Sequence, residues 1–317
     1  MTGPLVSAVI AVRDSERFVE SAVRSALAQT YAPLEIVVVD DGSRDRTSEV
    51  IAGIRDARLR VLRTAGIGSA RARNTGIRAT SGLYVAFLDG DDLWDRKKIA
   101  THVKVMESCL DVDATFSRSR LIDENGANLP LPVRRARGSY DFESLLRDNV
   151  IGNGSAVMVR RRAIPPSGFD EARASCIDYE LWLRIALIRS ANVLCIPEVL
   201  TAYRRHAGQV SGDWRRMQSG WNSLMLSMRE LAPGVAARAE PAARANWYRY
   251  LSFVAHERGE QNEAFRLLMQ SFKASPGVAA LNLRTWLLAG SIVTRAVLPR
   301  PIRPSGYVLG SVSRKVL

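Results

Sequence analysis

The sequence predicts an α/β fold: a doubly wound, mostly parallel sheet followed by a helical C-terminal region. Three observations predict it. Strand-like and helix-like segments alternate from Val6 to Leu88. Glu35-Ile-Val-Val-Val-Asp40 is a continuous β-branched run, the pattern of a strand covered on both faces. From residue 214 on, apolar residues recur only at helical spacing.

The elements follow in order. Val6 to Val12 is a short apolar strand that stops at Arg13-Asp14-Ser15. Phe18, Val19, Ala22, Val23, Ala26 and Leu27 repeat at helical spacing, and Pro33 ends that stretch before the second strand. Asp41-Gly42-Ser43 is a turn, and Thr47 to Ile54 reads as a helix. Leu59 to Leu62 is a third strand. Gly66, Gly68 and Ser69 open a helix over Ala70 to Ala79. Leu83 to Leu88 is a fourth strand, stopped by Asp89-Gly90-Asp91-Asp92, with a helix expected from near Trp94. This order implies parallel strands with helices on both faces, and ligands at the strands' carboxyl ends. Beyond it, Ala156 to Val159 reads as a strand, Asp178 to Ile188 as a helix, and Val193 to Ile196 as a strand ending at Pro197. Around Gly259, two helical patterns resemble a single tetratricopeptide-type unit, too few for a solenoid.

Composition narrows the class. At 47% hydrophobic and 24% charged, the 317 residues exclude a disordered, collagenous or coiled-coil chain. Cys109, Cys176 and Cys195 are scattered and odd in number, which argues against a disulfide framework or zinc ribbon and for reduced thiols in the cytosol. The N-terminal stretch lacks a basic region and is not expected to be a signal peptide. No apolar run reaches the length of a membrane span. The net charge of +13 is uneven: residues 1–213 carry +3 and residues 214–317 carry +10. A basic face suits phosphorylated substrates, anionic lipid or nucleic acid, or is simply a solvated surface. Nucleic acid is disfavoured, because no aromatic residues interleave the basic ones on a β platform.

Four groups invite chemistry. Asp89 and Asp91, just past a buried strand, suit one divalent cation such as Mn²⁺ or Mg²⁺; the same residues also make an acidic turn. Asp40 and Asp41 end the second strand, where a carboxylate binds a base or ribose, or closes an Asx turn. Asp178 opens a helix as a general base, or as half of a Ser175-x-x-Asp178 capping box. His206, beside Arg204 and Arg205, suits a phosphate or a metal, or is a solvated histidine. The sequence holds no GxGxxG after the first strand, no GxxxxGK[ST] and no GxSxG, which argues against NAD enzymes, P-loop proteins and hydrolases of that type.

Taken together, VSAVIAVRDSERFVESAVRSALAQTYAPLEIVVVDDGSRDRT, GSARARNTGIRATSGLYVAFLDGDDLW, CIDYELWLRI and YRRHAGQVS resemble a family-2 glycosyltransferase of the GT-A fold, in order and spacing, over about residues 1–212. The resemblance implies a catalytic domain over 1–212 and a basic helical region over 213–317. It implies inverting, metal-dependent transfer of a sugar from a nucleotide-diphosphate donor, a UDP-sugar, with Mn²⁺ or Mg²⁺. Ala11, Arg13 and Asp41 are then expected to line the nucleobase and ribose pocket. Arg73 and Asn74 help shape the donor site, Asp89 lies near the ribose and Asp91 on the metal. Asp178 is the base, and His206 approaches the diphosphate or metal. Two departures stand out: Ile177 precedes Asp178 where the family usually has a second acid, and Arg13-Asp14 replaces a frequent Tyr-Asn. The implied acceptor is a glycan or lipid-linked hydroxyl in surface polysaccharide or glycolipid synthesis. The rival readings are a protein acceptor and an inactive nucleotide-sugar-binding scaffold.

Apolar stretches over Trp286 to Val293 and Tyr307 to Val312 are bordered by Arg284, Arg295, Arg300, Arg303, Arg314 and Lys315. That pattern suits a cytoplasmic protein docking on the anionic inner membrane face, or a helical appendage packed on the catalytic domain with its arginines solvated.

Overall fold

The computed structural model describes residues 3–130, 136–189 and 192–297. Tyr307 to Val312 and the basic residues Arg300, Arg303, Arg314 and Lys315 lie outside the described residues.

The first half of the sheet is parallel. Strands β1 (Val6–Val12), β2 (Leu34–Asp40), β3 (Leu59–Arg63) and β4 (Tyr84–Asp89) alternate with helices α1 (Val19–Leu27), α2 (Thr47–Ala52) and α3 (Ser69–Arg78). Their spatial order is β3-β2-β1-β4, so the chain reverses direction across the sheet between β1 and β4. Such a switch point leaves a crevice at the carboxyl ends of the two strands. The register places Ala11 of β1 directly beside Asp89 of β4.

The second half mixes directions. It comprises β5 (Leu93–Trp94), α4 (Lys98–Ser108), β6 (Ala114–Ile122), β7 (Gly138–Tyr140), α5 (Phe142–Arg147), β8 (Val157–Arg160), α6 (Ile177–Arg189) and β9 (Val193–Arg204). Strand β8 runs antiparallel to β4 and β6, and β6 runs parallel to β9. Two expectations need correction here. Leu93 and Trp94 form a short strand paired with Thr201 and Ala202, and the helix starts only at Lys98. Nor does Pro197 end the last strand: β9 continues to Arg204. The pairing steps from Ser117 opposite Ile196 to Arg118 opposite Val199, so Pro197 falls at a register shift. A bulge is where a residue without an N–H is tolerated within a sheet.

The burial pattern follows the pleat. Val6, Ala8, Ile10 and Val12 of β1 pack with α1 and α4 on one face, while Val9 joins Val85, Phe87 and Phe116 on the other. That second core continues into the C-terminal helices α7 (Trp214–Leu231), α8 (Pro233–Glu257), α9 (Gln261–Ala274), α10 (Pro276–Ala280) and α11 (Leu283–Val297). Phe142, Leu145 and Leu146 of α5 share it with Trp221 of α7 and Trp247 of α8. Gly259, at φ +79°, turns α8 into α9 in a conformation that costs glycine nothing.

Candidate active site

The carboxyl ends of β1 and β4 open into a cavity of about 1780 Å³. Ala11, Arg13, Arg73, Asp89, Asp91 and Asp178 all line it. The four charged groups nearest those strand ends come from three elements. Asp89 ends β4, with Asp91 in the turn after it; Arg73 projects from α3, and Asp178 sits in the first turn of α6.

Packing holds these elements in place. Phe87 of β4 meets Phe169 edge-on, with centroids 5.2 Å apart, and Trp182 of α6 leans on Phe87 at 5.7 Å. Aromatic pairs of this kind contribute about 0.5–1.5 kcal/mol each beyond their burial. They pin α6 against the sheet, so its first turn faces the end of β4. The Arg73 guanidinium lies over the Phe169 ring at 5.7 Å and donates to Asp89 Oδ1.

Electrostatics then separate the carboxylates. Burial and the neighbouring Asp89 charge push the Asp178 carboxyl up; Arg73 and the Tyr179 N–H offset this only in part. Arg73 is nearly enclosed, yet Asp89, Asp178 and Asp91 outweigh its burial and raise it further. The capping-box alternative for Asp178 is not formed: Ser175 donates its hydroxyl to the Arg216 carbonyl at 3.0 Å instead. The Gly154 Cα is close enough that an added Cβ would lie 3.5 Å from Asp178 Oδ2.

His206 arrives from the loop after β9. Its Nε2 lies 2.9 Å from Asp91 Oδ2, and the Gly208 N–H donates to Nδ1 at 3.3 Å. The proton of the neutral ring is therefore assigned to Nε2, donating to Asp91. Phe18 packs on the ring with centroids 4.9 Å apart.

Asp89, Asp91 and Asp92 bring one carboxylate oxygen each within 4.8 Å of the others. They are not equivalent. Asp92 is fully buried and accepts from Ser155 Oγ at 2.6 Å and the Arg204 N–H at 2.9 Å. Burial, then Asp91 and Asp89, drive its carboxyl well above the ordinary range. It ties β4 to the start of β8 and the end of β9. Asp89 and Asp91 each keep one oxygen without a partner among the described residues. Two hard carboxylate oxygens beside an imidazole fit Mn²⁺ or Mg²⁺.

Three expected donor-site residues stand outside the cavity wall: Asp41, Asn74, and His206, which meets it only through Asp91. Asp41 accepts from Thr64 Oγ1 at 2.6 Å and from the N–H groups of Ile67 and Gly68 at 2.7 and 2.8 Å. Burial raises its carboxyl, but these bonds and the Arg13 charge outweigh that and hold it below the usual range. It closes the 64–68 loop. Asn74 is buried, donating to the Phe169 carbonyl at 2.9 Å and to Glu171 Oε1 at 3.0 Å while accepting from the Phe169 N–H at 2.8 Å. It fixes the segment that carries Phe169, whose ring lies under the Arg73 guanidinium. Sequence reasoning passed over Asp92, Ser155 and Arg204. Arg204 donates to the Asp91, Asp123 and Glu124 carbonyls, fastening the metal-facing turn to β9.

The glycosyl transferase family 2 model matches residues 7–165, half of the chain. The chain belongs to glycosyl transferase family 2. Its relatives include UDP-Glc:alpha-D-GlcNAc-diphosphoundecaprenol beta-1,3-glucosyltransferase WfaP of Escherichia coli, 32% identical over 212 residues, which cover 66% of this chain and 80% of WfaP. An uncharacterized glycosyltransferase of Rickettsia felis is 32% identical over 241 residues, 72% of this chain but only 39% of that protein's length. Among solved structures, Staphylococcus aureus TarS 1-349 in complex with UDP-GlcNAc superposes with a TM-score of 0.60 at 17% identity, covering 92% of this chain and 89% of TarS 1-349. The mannosyltransferase PcManGT from Pyrobaculum calidifontis, in complex with GDP-Man and Mn²⁺, gives 0.61 at 19% identity, covering 93% and 86%. The GT-A fold of this family-2 glycosyltransferase is thus shared with enzymes far removed in sequence. Among the described residues, no helix is long and apolar enough to cross a membrane.

Proposed function

We propose that this family-2 glycosyltransferase is a metal-dependent, inverting enzyme that moves a sugar from a nucleotide-diphosphate donor, a UDP-sugar, to a hydroxyl of a lipid-linked glycan. One observation carries the reading: Asp89, Asp91 and Asp178 line a single cavity, and His206, 117 positions after Asp89, reaches Asp91 at 2.9 Å from behind that wall. The WfaP and WfgD names, both of glucosyltransferases acting on a diphosphoundecaprenol-linked sugar, support the acceptor class and a place in surface polysaccharide or glycolipid synthesis.

The mechanism follows from where the charges stand. Ala11 and Arg13 border the base and ribose, and Asp89, with Arg73, orients the ribose and diphosphate. Asp91 and Asp89 would hold Mn²⁺ or Mg²⁺, with His206 steadying Asp91, and the ion when bound would neutralise charge on the departing diphosphate. Asp178 accepts the acceptor's hydroxyl proton as its oxygen bonds to the anomeric carbon. The carbon–oxygen bond to the diphosphate breaks on the opposite face, and its electron pair leaves with the nucleotide. A carboxyl whose affinity for protons is raised by burial suits that base, because general-base efficiency is greatest when its pKa approaches the working pH. In this reading residues 1–212 are the catalytic domain, and the helical region from 213 completes the cavity and meets the acceptor.

The membrane reading is part of the same proposal. Leu281, Leu283, Trp286, Leu287 and Val293 are each more than half exposed, with Arg284 and Arg295 among them. That combination suits a surface resting on anionic headgroups at the cytoplasmic face. A panel of nucleotide sugars, assayed for Mn²⁺-dependent hydrolysis and thermal stabilisation, tests the core of the proposal. Hydrolysis of one UDP-sugar, lost in Asp91→Ala, is expected. No binding or hydrolysis of any donor with either metal would overturn it.

A further inference from the structure

Asp178 stands two residues after a backbone conformation that has to be held in place. Cys176 has φ +55°, a left-handed value that a residue with a Cβ seldom adopts. Its carbonyl accepts the Glu180 N–H at 3.0 Å, so α6 starts from it. The direction in which the first turn of α6 leaves, and with it the place of the Asp178 carboxyl, is set there. Residues 164–176 belong to no strand or α-helix, so no regular element imposes this geometry. Strained backbone persists only where its surroundings over-determine it.

The surroundings are one helix. Four consecutive residues of the turn each bond to α7. Arg173 donates to Ser227 Oγ at 2.6 Å and to Ser223 Oγ at 3.3 Å. The Ala174 carbonyl accepts from the Arg216 guanidinium at 3.0 Å. The Ser175 hydroxyl donates to the Arg216 carbonyl at 3.0 Å. The Cys176 thiol, a weak donor, lies 3.9 Å from the Met217 carbonyl. Positions 216, 220, 223 and 227 recur three and four apart, the spacing of one helix face. In the middle of that face Gly220 leaves room for the turn: a Cβ there would stand 1.9 Å from Ser175 Oγ, 3.0 Å from its Cβ and 3.1 Å from its carbonyl carbon. Ser175 and Cys176 are buried against it.

The helix is itself anchored. Asp213 caps its start, accepting from the Arg215 and Arg216 N–H groups at 3.0 and 3.3 Å. Trp221, Leu224, Met225 and Met228 are buried in the core shared with α8. Apolar packing alone would let the turn slide along such a helix. Directional bonds to four successive residues fix where the chain runs.

We propose that α7 is a positioning element for the reaction: it clamps residues 173–176 and so aims Asp178 at the end of β4. The inference rests on the reading of Asp178 as the base, and it gives the helical region a task besides bordering the cavity. Ser175 and Gly220 are the positioning residues; neither is asked to touch the reacting atoms.

The test uses the full chain and three variants, S175A, G220A and S175A/G220A. The methyl of G220A must push the turn away, and the double variant removes the nearest of the three clashes. The first readout needs no substrate. Urea unfolding between about pH 4 and pH 8 gives the stability gap between each protein and the same protein carrying Asp178→Asn. In the wild-type background the gap widens in favour of asparagine as pH rises, because burial and Asp89 of β4 outweigh Arg73 of α3 in holding the Asp178 proton. In G220A the displaced carboxyl meets water, and most of that widening is expected to disappear. The double variant is expected to regain part of it. S175A, which removes one bond and adds no bulk, is expected to show a smaller loss, and decides the matter if G220A does not fold. A helix that only stabilises the fold would lower both members of each pair alike and leave the widening intact. The second readout is Mn²⁺-dependent hydrolysis of UDP-glucose. In G220A its kcat is expected to fall about tenfold to a hundredfold, as for a misplacement of up to about 1 Å, with KM and the affinity for UDP unchanged. An unaltered widening in G220A and S175A, or a fall in UDP affinity as large as the fall in kcat, would overturn the positioning role. A wild type that hydrolyses no UDP-glucose would count against the glycosyltransferase reading instead, since the unfolding curves still decide whether α7 places Asp178.

Discussion

The ends of β2 and β4 both place aspartates at the carboxyl edge of one parallel sheet, and they put them in opposite states. At β2, Asp41 meets three donors within 2.8 Å and is held ionised. At β4, Asp92 is driven toward its neutral form by burial and by Asp91 and Asp89, and Asp178 across the cavity is pushed the same way. A carboxylate ringed by N–H and O–H groups builds a loop. Carboxylates crowded against each other repel, and are relieved by a cation or a proton. The sequence motif is nearly the same at the two places, Asp-Asp-Gly against Asp-Gly-Asp-Asp. What differs is the number of donors the fold delivers.

Removing the base should give the largest contrast. Asp178→Asn is expected to lower transfer by about 10²–10⁴-fold, the usual worth of general-base action. Its melting temperature at neutral pH should be unchanged or higher, because a buried charge is lost. Turnover and calorimetry on the same preparation check both halves, and a destabilised variant with full turnover would break the contrast.

Next comes the metal face. Asp91→Ala should abolish the Mn²⁺-dependent part of UDP affinity while the fold persists, as read by titration calorimetry. Unchanged affinity with Mn²⁺ present would remove Asp91 from the metal.

Asp41→Ala is expected to do the reverse of Asp178→Asn. It leaves three donors unmatched, at about 1–3 kcal/mol for a buried group so abandoned. Urea unfolding should show that loss of stability, with any loss of donor affinity following from a loosened 64–68 loop.

The smallest effects lie in pH. The stability contributed by Asp41, whose carboxyl is held low, is fully present above the ordinary aspartate pKa and disappears as pH falls through its folded value. Asp178, whose carboxyl is held high, costs stability as pH rises from the ordinary value to the folded one, and the cost is constant above. The gap between wild type and Asp41→Asn should therefore close on acidification. Asp178→Asn should gain on wild type as pH rises above about 4. Unfolding curves at several pH values decide the sign of each.

Much of this site was legible because it lies at strand ends. A β-branched run stops where polar residues begin, and a parallel sheet fixes which end binds. Asp89, Asp91 and Arg13 follow from that alone, whereas linking Asp178 and His206 to them took the family resemblance. Roles within the fold were harder. Lys98 and His102 have the i, i+4 spacing of a solvated helix face, yet both are fully buried. Lys98 donates to the Ala156 carbonyl at 2.8 Å, a partner fifty-eight positions away that no local pattern reveals. Asn74 stands beside Arg73 in sequence, but one residue along a helix turns a side chain about 100°, so one points to the cavity and the other into the 167–171 segment. Pro197 reads as a stop because its missing N–H is a local fact, while the register shift that accommodates it is not.

The stacked pair Trp221 and Trp247 gives this molecule an optical signal of its own. Of the six tryptophans, Trp94, Trp214 and Trp286 already donate their indole N–H to Ser155, Glu260 and Ala280. Trp182 has no indole N–H partner among the described residues but lies in the core beside Phe87, away from the cavity. Trp221 and Trp247, stacked on each other, are the two tryptophans among the described residues that line the cavity. A ligand that reaches them changes the polarity around one stacked pair. Occupancy of the far end of the cavity should therefore be readable as a shift in intrinsic emission, without label or coupled enzyme, while filling the nucleotide end leaves the spectrum nearly still.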